Sequence, residues 1–318
     1  MKARLWSACL ALLITLILTG TVAAQEDYLD PAALADEDGL FVTLNGYNVY
    51  YLDRGPEDGP PVVLLHGFLG SVIDWTNTFP ALTEAGYRVI AYDRPPFGLS
   101  DKRTELNYSL QAMTDLTAAL MDELGIDKAV IIGHSAGGSV AADFALRYPE
   151  RVEKLVLIAG AVGINGPSAE GGNPFAFLGN IDPDSPLAQN LIRTFFTGDF
   201  GQDMLNQAVS DPAAIDAELL AKRERGLKVK GWEGGLLAFV RDSLLPESQI
   251  DLEQLRTVTL PVLLIWGEAD EIVPITIGEN LAELFPNDTW ITYPNVGHLP
   301  MDEATEQLNT DLLEFLSS

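Results

Sequence analysis

Five short apolar runs recur along the chain: "PVVLLHG" (61–67), "YRVIAYD" (87–93), "KAVIIGHS" (128–135), "KLVLIAG" (154–160) and "PVLLIWG" (261–267). A weaker sixth follows at "TWITYPN" (289–295). Each run is continuous rather than alternating, and each is bounded by proline, glycine or a charge. That is the pattern of a strand buried on both faces. Helical patterns separate the runs: "SLQAMTDLTAALMDELG" (109–125), "AGGSVAADFALRYPE" (136–150) and "ATEQLNTDLLEFL" (304–316). Buried strands alternating with helices define an α/β protein with a mainly parallel sheet covered on both sides. Ahead of them, "LFVTL" and "YNVYYLD" flank Asn45-Gly46, a two-residue hairpin signal.

The rhythm breaks between 161 and 260, where no buried-strand run occurs. A Gly/Pro-rich entry (163–186) leads into helical patterns at 187–197, 212–225 and 232–244. Aromatic residues are dense here: Phe175, Phe177, Phe195, Phe196, Phe200, Trp232 and Phe239. The expectation is a helical cap (161–255) inserted between two parts of one core, 25–160 and 256–318. Some of these aromatics must pack the cap itself. Phe195, Phe196, Trp232 and Phe239 are the candidates for contact with substrate.

The first 24 residues differ in kind. Lys2 and Arg4 precede the apolar "LWSACLALLITLILTG", and "TVAA" supplies small residues for cleavage after Ala24, as in a secretory signal peptide. Export to the periplasm or medium is the expectation. The alternative is an uncleaved membrane anchor, since residues 5–25 carry no charge and are about long enough to span a bilayer. Cys9, the one cysteine, lies inside this segment, so the processed chain would have no disulfide, catalytic thiol or cysteine-bound zinc.

The net charge is −27, and loss of Lys2 and Arg4 leaves 17 bases against 46 acids, a charge of −29. Such a surface repels nucleic acid and anionic lipid and argues against both as partners. Salt adaptation and a well-solvated acidic surface explain the acidity equally well. The pattern sets no oligomeric state.

"VIIGHSAGGSVAA" (130–142) places Ser135 between glycines where a buried strand breaks into a helix. A nucleophilic serine needs a base, and the chain has three histidines: His66, His134 and His298. All sit at or just beyond strand ends, where open α/β sheets form their crevices. His134 is adjacent to the serine, and its side chain should point away from it. His66, before a glycine turn, should brace its loop by hydrogen bonds. By elimination His298, in the loop "NVGHLP" after the last strand, is the candidate base. The acid should come from "LLIWGEADEIVP", with Asp270 preferred and Glu268 the substitute; a carboxylate on Nδ1–H holds the tautomer and stabilises the imidazolium.

"GHSAG" and the order Ser135, Asp270, His298 resemble the nucleophile elbow and triad of the α/β-hydrolase family. The resemblance covers residues 40–160 and 255–318, and the cap only in position. It implies that His66-Gly67 is the family's His-Gly loop and that the backbone N–H groups of Phe68 and Ala136 are the oxyanion donors. One departure stands out: in "DRPPFGLSD" (93–101) Pro96 replaces the usual first glycine. Asp93 and Arg94 are read as structural.

Family members with aspartate at the elbow open epoxides or displace halide, and Ser135 counts against both. Carbon–carbon bond hydrolases of the family often carry asparagine where His134 stands. The aromatic cap suggests an apolar acyl or alcohol group. The expected function is therefore hydrolysis of small-molecule carboxylic esters by an acyl-enzyme route, without metal or cofactor. Carbon–carbon bond hydrolase, lactonase and aminopeptidase are alternatives, with Glu218, Glu224 and Glu233 as acids for a substrate amine. A ligand-binding protein that retains the fold is the non-enzyme alternative.

Overall fold

The computed structural model describes residues 28–163, 176–197 and 199–318. The leader at 1–24, with Cys9, and Phe175 lie outside them, as do the side chains of Phe177 and Phe200. Eight strands form one sheet in the order β1-β2-β4-β3-β5-β6-β7-β8. The hairpin strands β1 (Leu40–Leu44) and β2 (Tyr47–Arg54) are antiparallel, joined by Asn45 (φ 51°) and Gly46 (φ 86°). Both turn residues have φ > 0, as a two-residue primed turn requires. β2 meets β4 (Arg88–Tyr92) antiparallel. β3 (Pro61–Leu65), β5 (Ala129–His134), β6 (Val152–Ile158), β7 (Val262–Gly267) and β8 (Asp288–Tyr293) complete the parallel part. All six apolar runs are strands.

Every residue of β5 and β7 is buried, because helices cover both faces. Successive residues of one strand serve opposite cores. Val63 and Leu65 face the cluster made by helices Leu110–Glu123 and Ala136–Arg147 through Leu116, Leu120, Val140 and Phe144. Val62 and Leu64 face Phe79, Leu82, Leu308, Leu312 and Leu316. This is the two-fold alternation of a pleated strand applied to a doubly covered sheet.

Chain order reverses at β3, which leads outward to β4 on one side while β5 lies on the other. A crevice forms at the carboxyl ends of strands where such a reversal occurs. The loops after β3 and β5 meet there, and these loops carry His66-Gly67-Phe68 and Ser135.

Between β6 and β7 the chain forms helices Pro186–Phe196, Asp199–Ala208, Ala217–Arg223 and Trp232–Ser243. Ser185 and Asp216 cap the first and third through backbone N–H groups of Ala188 and Leu219. The helices share a small apolar core of Leu178, Ala188, Ile192, Phe196, Trp232, Leu236, Leu237 and Val240, with Phe97 reaching in from the sheet domain. The helix Asp199–Ala208 lies between the helical patterns read at 187–197 and 212–225; in "DFGQDMLNQA" Phe200, Met204, Leu205 and Ala208 recur at helical spacing, but glycine, acids and amides outnumber them.

Candidate active site

Ser135 follows β5 directly and precedes the helix Ala136–Arg147 with φ 50° and ψ −121°, a conformation side-chain-bearing residues avoid. Strain of this sort costs about 1–3 kcal/mol and persists only where the surroundings impose it. Here they do. A Cβ on Gly133 would lie 2.4 Å from the Gly137 carbonyl oxygen, and one on Gly137 would lie 2.1 Å from that of Leu65. The glycines let helix, β5 and β3 approach until the turn has no other route.

His298 is buried, and its Nδ1–H donates to Asp270 Oδ2 at 2.7 Å. Asp270 is buried too, and its Oδ1 accepts from the backbone N–H groups of Ile272 and Val273, each at 2.8 Å. Those bonds fix the carboxylate plane, and the carboxylate fixes the imidazole with Nε2 as its free acceptor. Glu268, the substitute acid, instead accepts from Thr292 Oγ1 at 2.8 Å on the exposed side.

Ser135 and His298 open on one cavity of about 530 Å³, together with Gly67, Phe68, Leu69, Asp74 and His134. No hydrogen bond joins Ser135 Oγ to His298 Nε2 in this structure. Catalytic contacts of this kind tighten when substrate is bound.

His134, set aside as a base because its side chain should point away from the serine, still lines the cavity. Its ring lies 4.8 Å from that of His298, and Nε2–H donates to the His298 carbonyl oxygen at 2.8 Å. Its Nδ1 is buried with no hydrogen-bond partner, and burial holds the ring neutral, well below the usual histidine range. His134 thus anchors the backbone of His298.

The cap closes the cavity with Phe196, Thr197, Met204, Leu205, Ala208, Leu220 and Leu227. Of the four aromatics expected to meet substrate, only Phe196 is among them. Trp232 is buried in the cap core beside Phe97, where it opens on a narrow recess. Phe195 packs edge-on against Phe196. Phe239 lines a separate small cavity with Ala136, on the far side of a cluster in which it touches Phe68 and Phe97. The lining is therefore largely aliphatic, much of it from the helix Asp199–Ala208.

One end of the cavity is charged. Arg223 bonds Asp302 at 2.5 Å and lies 3.7 Å from Asp74. Burial raises the carboxyl of Asp74 and carries that of Asp302 up to about 6, against the pull of Arg223. No local motif marks this cluster, whose members come from three distant segments. Glu224 joins the lining, whereas Glu218 pairs with Lys222 at the surface and Glu233 is buried against Arg193 and Tyr28. Asp93 is structural as expected, accepting from Val72 and Leu99 N–H at 2.7 Å each.

A strained serine, a histidine held by a buried carboxylate and a covered crevice at the sheet's switch point define a member of a hydrolytic α/β class. Residues 60–305 match the family described as alpha/beta hydrolase fold, and the chain belongs to that family. As such it takes a small-molecule substrate. It is 31% identical over 295 residues to the bifunctional esterase/perhydrolase DCH of Acinetobacter calcoaceticus, covering 88% of this chain and 100% of that one. It is 32% identical over 310 residues to the 2-hydroxy-6-oxononadienedioate/2-hydroxy-6-oxononatrienedioate hydrolase of Burkholderia vietnamiensis, covering 94% and 99%. The crystal structure of a membrane phospholipase A, described as a bacterial virulence factor, superposes with a TM-score of 0.71 at 26% identity, covering 100% of this chain and 98% of that one.

Proposed function

We propose that the protein is a serine hydrolase that cleaves carboxylic esters of fairly apolar small molecules through an acyl-enzyme. One observation carries the reading: a strained serine shares a largely apolar cavity with a histidine whose second nitrogen is held by a buried carboxylate. Ser135 Oγ attacks the ester carbonyl while His298 Nε2 takes its proton. The N–H groups of Phe68 and Ala136 meet the oxyanion. Collapse expels the alcohol, which takes its proton from His298, and water repeats the cycle to release the acid. The likeness to an esterase/perhydrolase supports this reading.

A second reading follows from the oxononadienedioate hydrolase relative. The substrate in that name holds a ketone and carboxylates but no ester, so its hydrolysis breaks a carbon–carbon bond. The charged end at Arg223 would suit such a polar substrate, although Asp74 and Asp302 already neutralise that arginine.

Both readings meet one experiment, hydrolysis of p-nitrophenyl esters of increasing acyl length by the wild type and Ser135→Ala. Turnover lost in the variant supports the ester reading, and unchanged turnover overturns the Ser135 mechanism. Absence of turnover in both shifts the assignment to carbon–carbon cleavage, lactones or amides, or to ligand binding alone.

We also read residues 1–24 as an export signal, with 5–25 as an anchor if cleavage fails. The likeness to a membrane phospholipase A along the whole chain keeps the anchored form in view. N-terminal sequencing of protein from the cell envelope and the medium separates the two: Gln25 as first residue means cleavage.

A further inference from the structure

We propose that Arg94, acting with His66, is a positioning residue that aims the oxyanion-binding peptide between Gly67 and Phe68; the inference rests on the acyl-enzyme reading above.

The His66 tautomer follows from its partners. The backbone N–H of Arg94 donates to Nε2 at 2.8 Å, so Nε2 bears no proton. Nδ1 therefore carries the proton and donates to the Gly67 carbonyl oxygen at 2.8 Å. Burial, with the Arg94 charge adding to it, keeps the ring neutral, well below the usual histidine range.

The same Gly67 oxygen accepts from Arg94 Nη2 and from the Gly70 N–H, each at 3.2 Å. Arg94 also grips the preceding carbonyl, with Nε 3.1 Å and Nη2 2.5 Å from the His66 oxygen. The planar guanidinium thus clamps two successive carbonyls at the end of β3.

The consequence lies on the opposite side of one peptide bond. The Gly67 carbonyl and the Phe68 N–H belong to one planar trans unit, in which C=O and N–H point in opposite directions. Three donors that fix the carbonyl fix the N–H as well, and Gly67 and Phe68 both line the cavity beside Ser135. Donors crowding the oxygen polarise the amide and strengthen its N–H as a donor. The next residue, Leu69, has φ 56°, so this loop holds a second strained position that the clamp helps to impose.

Arg94 differs from the other buried arginines near the site. It is 1% exposed, and no carboxylate among the described residues forms an ion pair with it, whereas Arg223 has two such partners and Arg225 one. Burial lowers its pKa only to about 10, so it stays charged at neutral pH. A buried cation without a counterion is a liability for stability alone. Here the guanidinium is engaged by the His66 and Gly67 carbonyls, the second of which lies behind the oxyanion donor, with Asp74 acting on it only at a distance.

The test compares wild type, Arg94→Met and Arg94→Lys on p-nitrophenyl butyrate and on a trifluoromethyl ketone. Ser135 adds to that ketone to give a hemiketal whose oxygen occupies the oxyanion position. For Arg94→Met, kcat should fall about 10–100-fold, less than for outright removal of a donor. KM should stay within about twofold, and the ketone's inhibition constant should weaken in step with kcat/KM. Arg94→Lys keeps the charge but not the fork, and should fall several-fold in both readouts. A loss of kcat with ketone affinity unchanged means mere structural support and overturns the proposal, as does wild-type behaviour of both variants. If Arg94→Met shows no melting transition, Arg94→Lys decides alone, and wild-type kcat and ketone affinity in it overturn the proposal. Wild-type protein without Ser135-dependent turnover sinks the ester reading and this inference together; Ser135-dependent turnover with indifferent Arg94 variants sinks this inference only.

Discussion

Asp270→Asn isolates the tautomer of His298 with almost no change in shape. In the native site Oδ2 receives the Nδ1–H at 2.7 Å and Oδ1 receives two backbone N–H groups at 2.8 Å. An asparagine has one acceptor oxygen and one NH₂ donor. Ile272 and Val273 present donors only, so the oxygen must face them and the NH₂ must face His298. Nδ1 then accepts, the ring proton moves to Nε2, and Nε2 can no longer take the serine proton. A carboxylate-to-amide change with this geometric effect lowers kcat by a factor of about 10⁴, or about 5 kcal/mol of barrier. The two backbone bonds survive, so the melting temperature should stay within a few degrees. The assay is steady-state hydrolysis of p-nitrophenyl butyrate at neutral pH beside a thermal melt. A loss below about tenfold in a folded variant would refute the assignment of Asp270.

Other perturbations follow from the same contacts. Gly137→Ala puts a Cβ 2.1 Å from the Leu65 oxygen and should lower the melting temperature sharply with loss of activity; a variant that melts like wild type would show that the elbow tolerates more room than its packing allows. Phe196→Ala should move the acyl-length optimum toward longer chains and destabilise by about 2–4 kcal/mol, and an unchanged optimum in the ester series would remove Phe196 from the pocket wall. Asp93 and Asp302, both raised to about 6 by burial, bind more protons folded than unfolded between pH ~4 and ~6. Their contribution to stability is therefore full below pH ~4 and is lost as the pH rises through ~6. Asp302→Asn should flatten the fall of melting temperature across that window, and an unaltered slope would contradict the burial argument.

Much of this was legible in the sequence because burial on two faces leaves a plain trace. "PVVLLHG" and "PVLLIWG" have no polar interior position, so their strands could be placed, and with them the strand ends where Ser135, Asp270 and His298 stand. Asp270 was preferred over Glu268, but the physical reason exists only in the structure, where Asp270 is buried and held by the N–H groups of Ile272 and Val273 while Glu268 is exposed. The pocket wall was not readable. Trp232 and Phe239 looked like substrate contacts by their chemistry, but large rings fill a small helical core first, and the wall fell to Met204, Leu205, Leu220 and Leu227. The helix bearing Met204 and Leu205 hides in a polar stretch because only one narrow face meets the cavity. The Asp74–Arg223–Asp302 cluster had no signal, since its spacing exists only in three dimensions. The bond from His134 to the His298 carbonyl had no signal either, since a position beside an elbow does not say what the ring will hold.

The measurement that bears most directly on the central claim is intact-mass and peptide mass spectrometry of the enzyme quenched in acid during turnover of p-nitrophenyl butyrate. A mass gain of one butyryl group, carried by the peptide containing Ser135 and absent from Ser135→Ala, is the predicted result. Turnover with the acyl group on another residue, or with no covalent adduct when product release shows a burst, would contradict it.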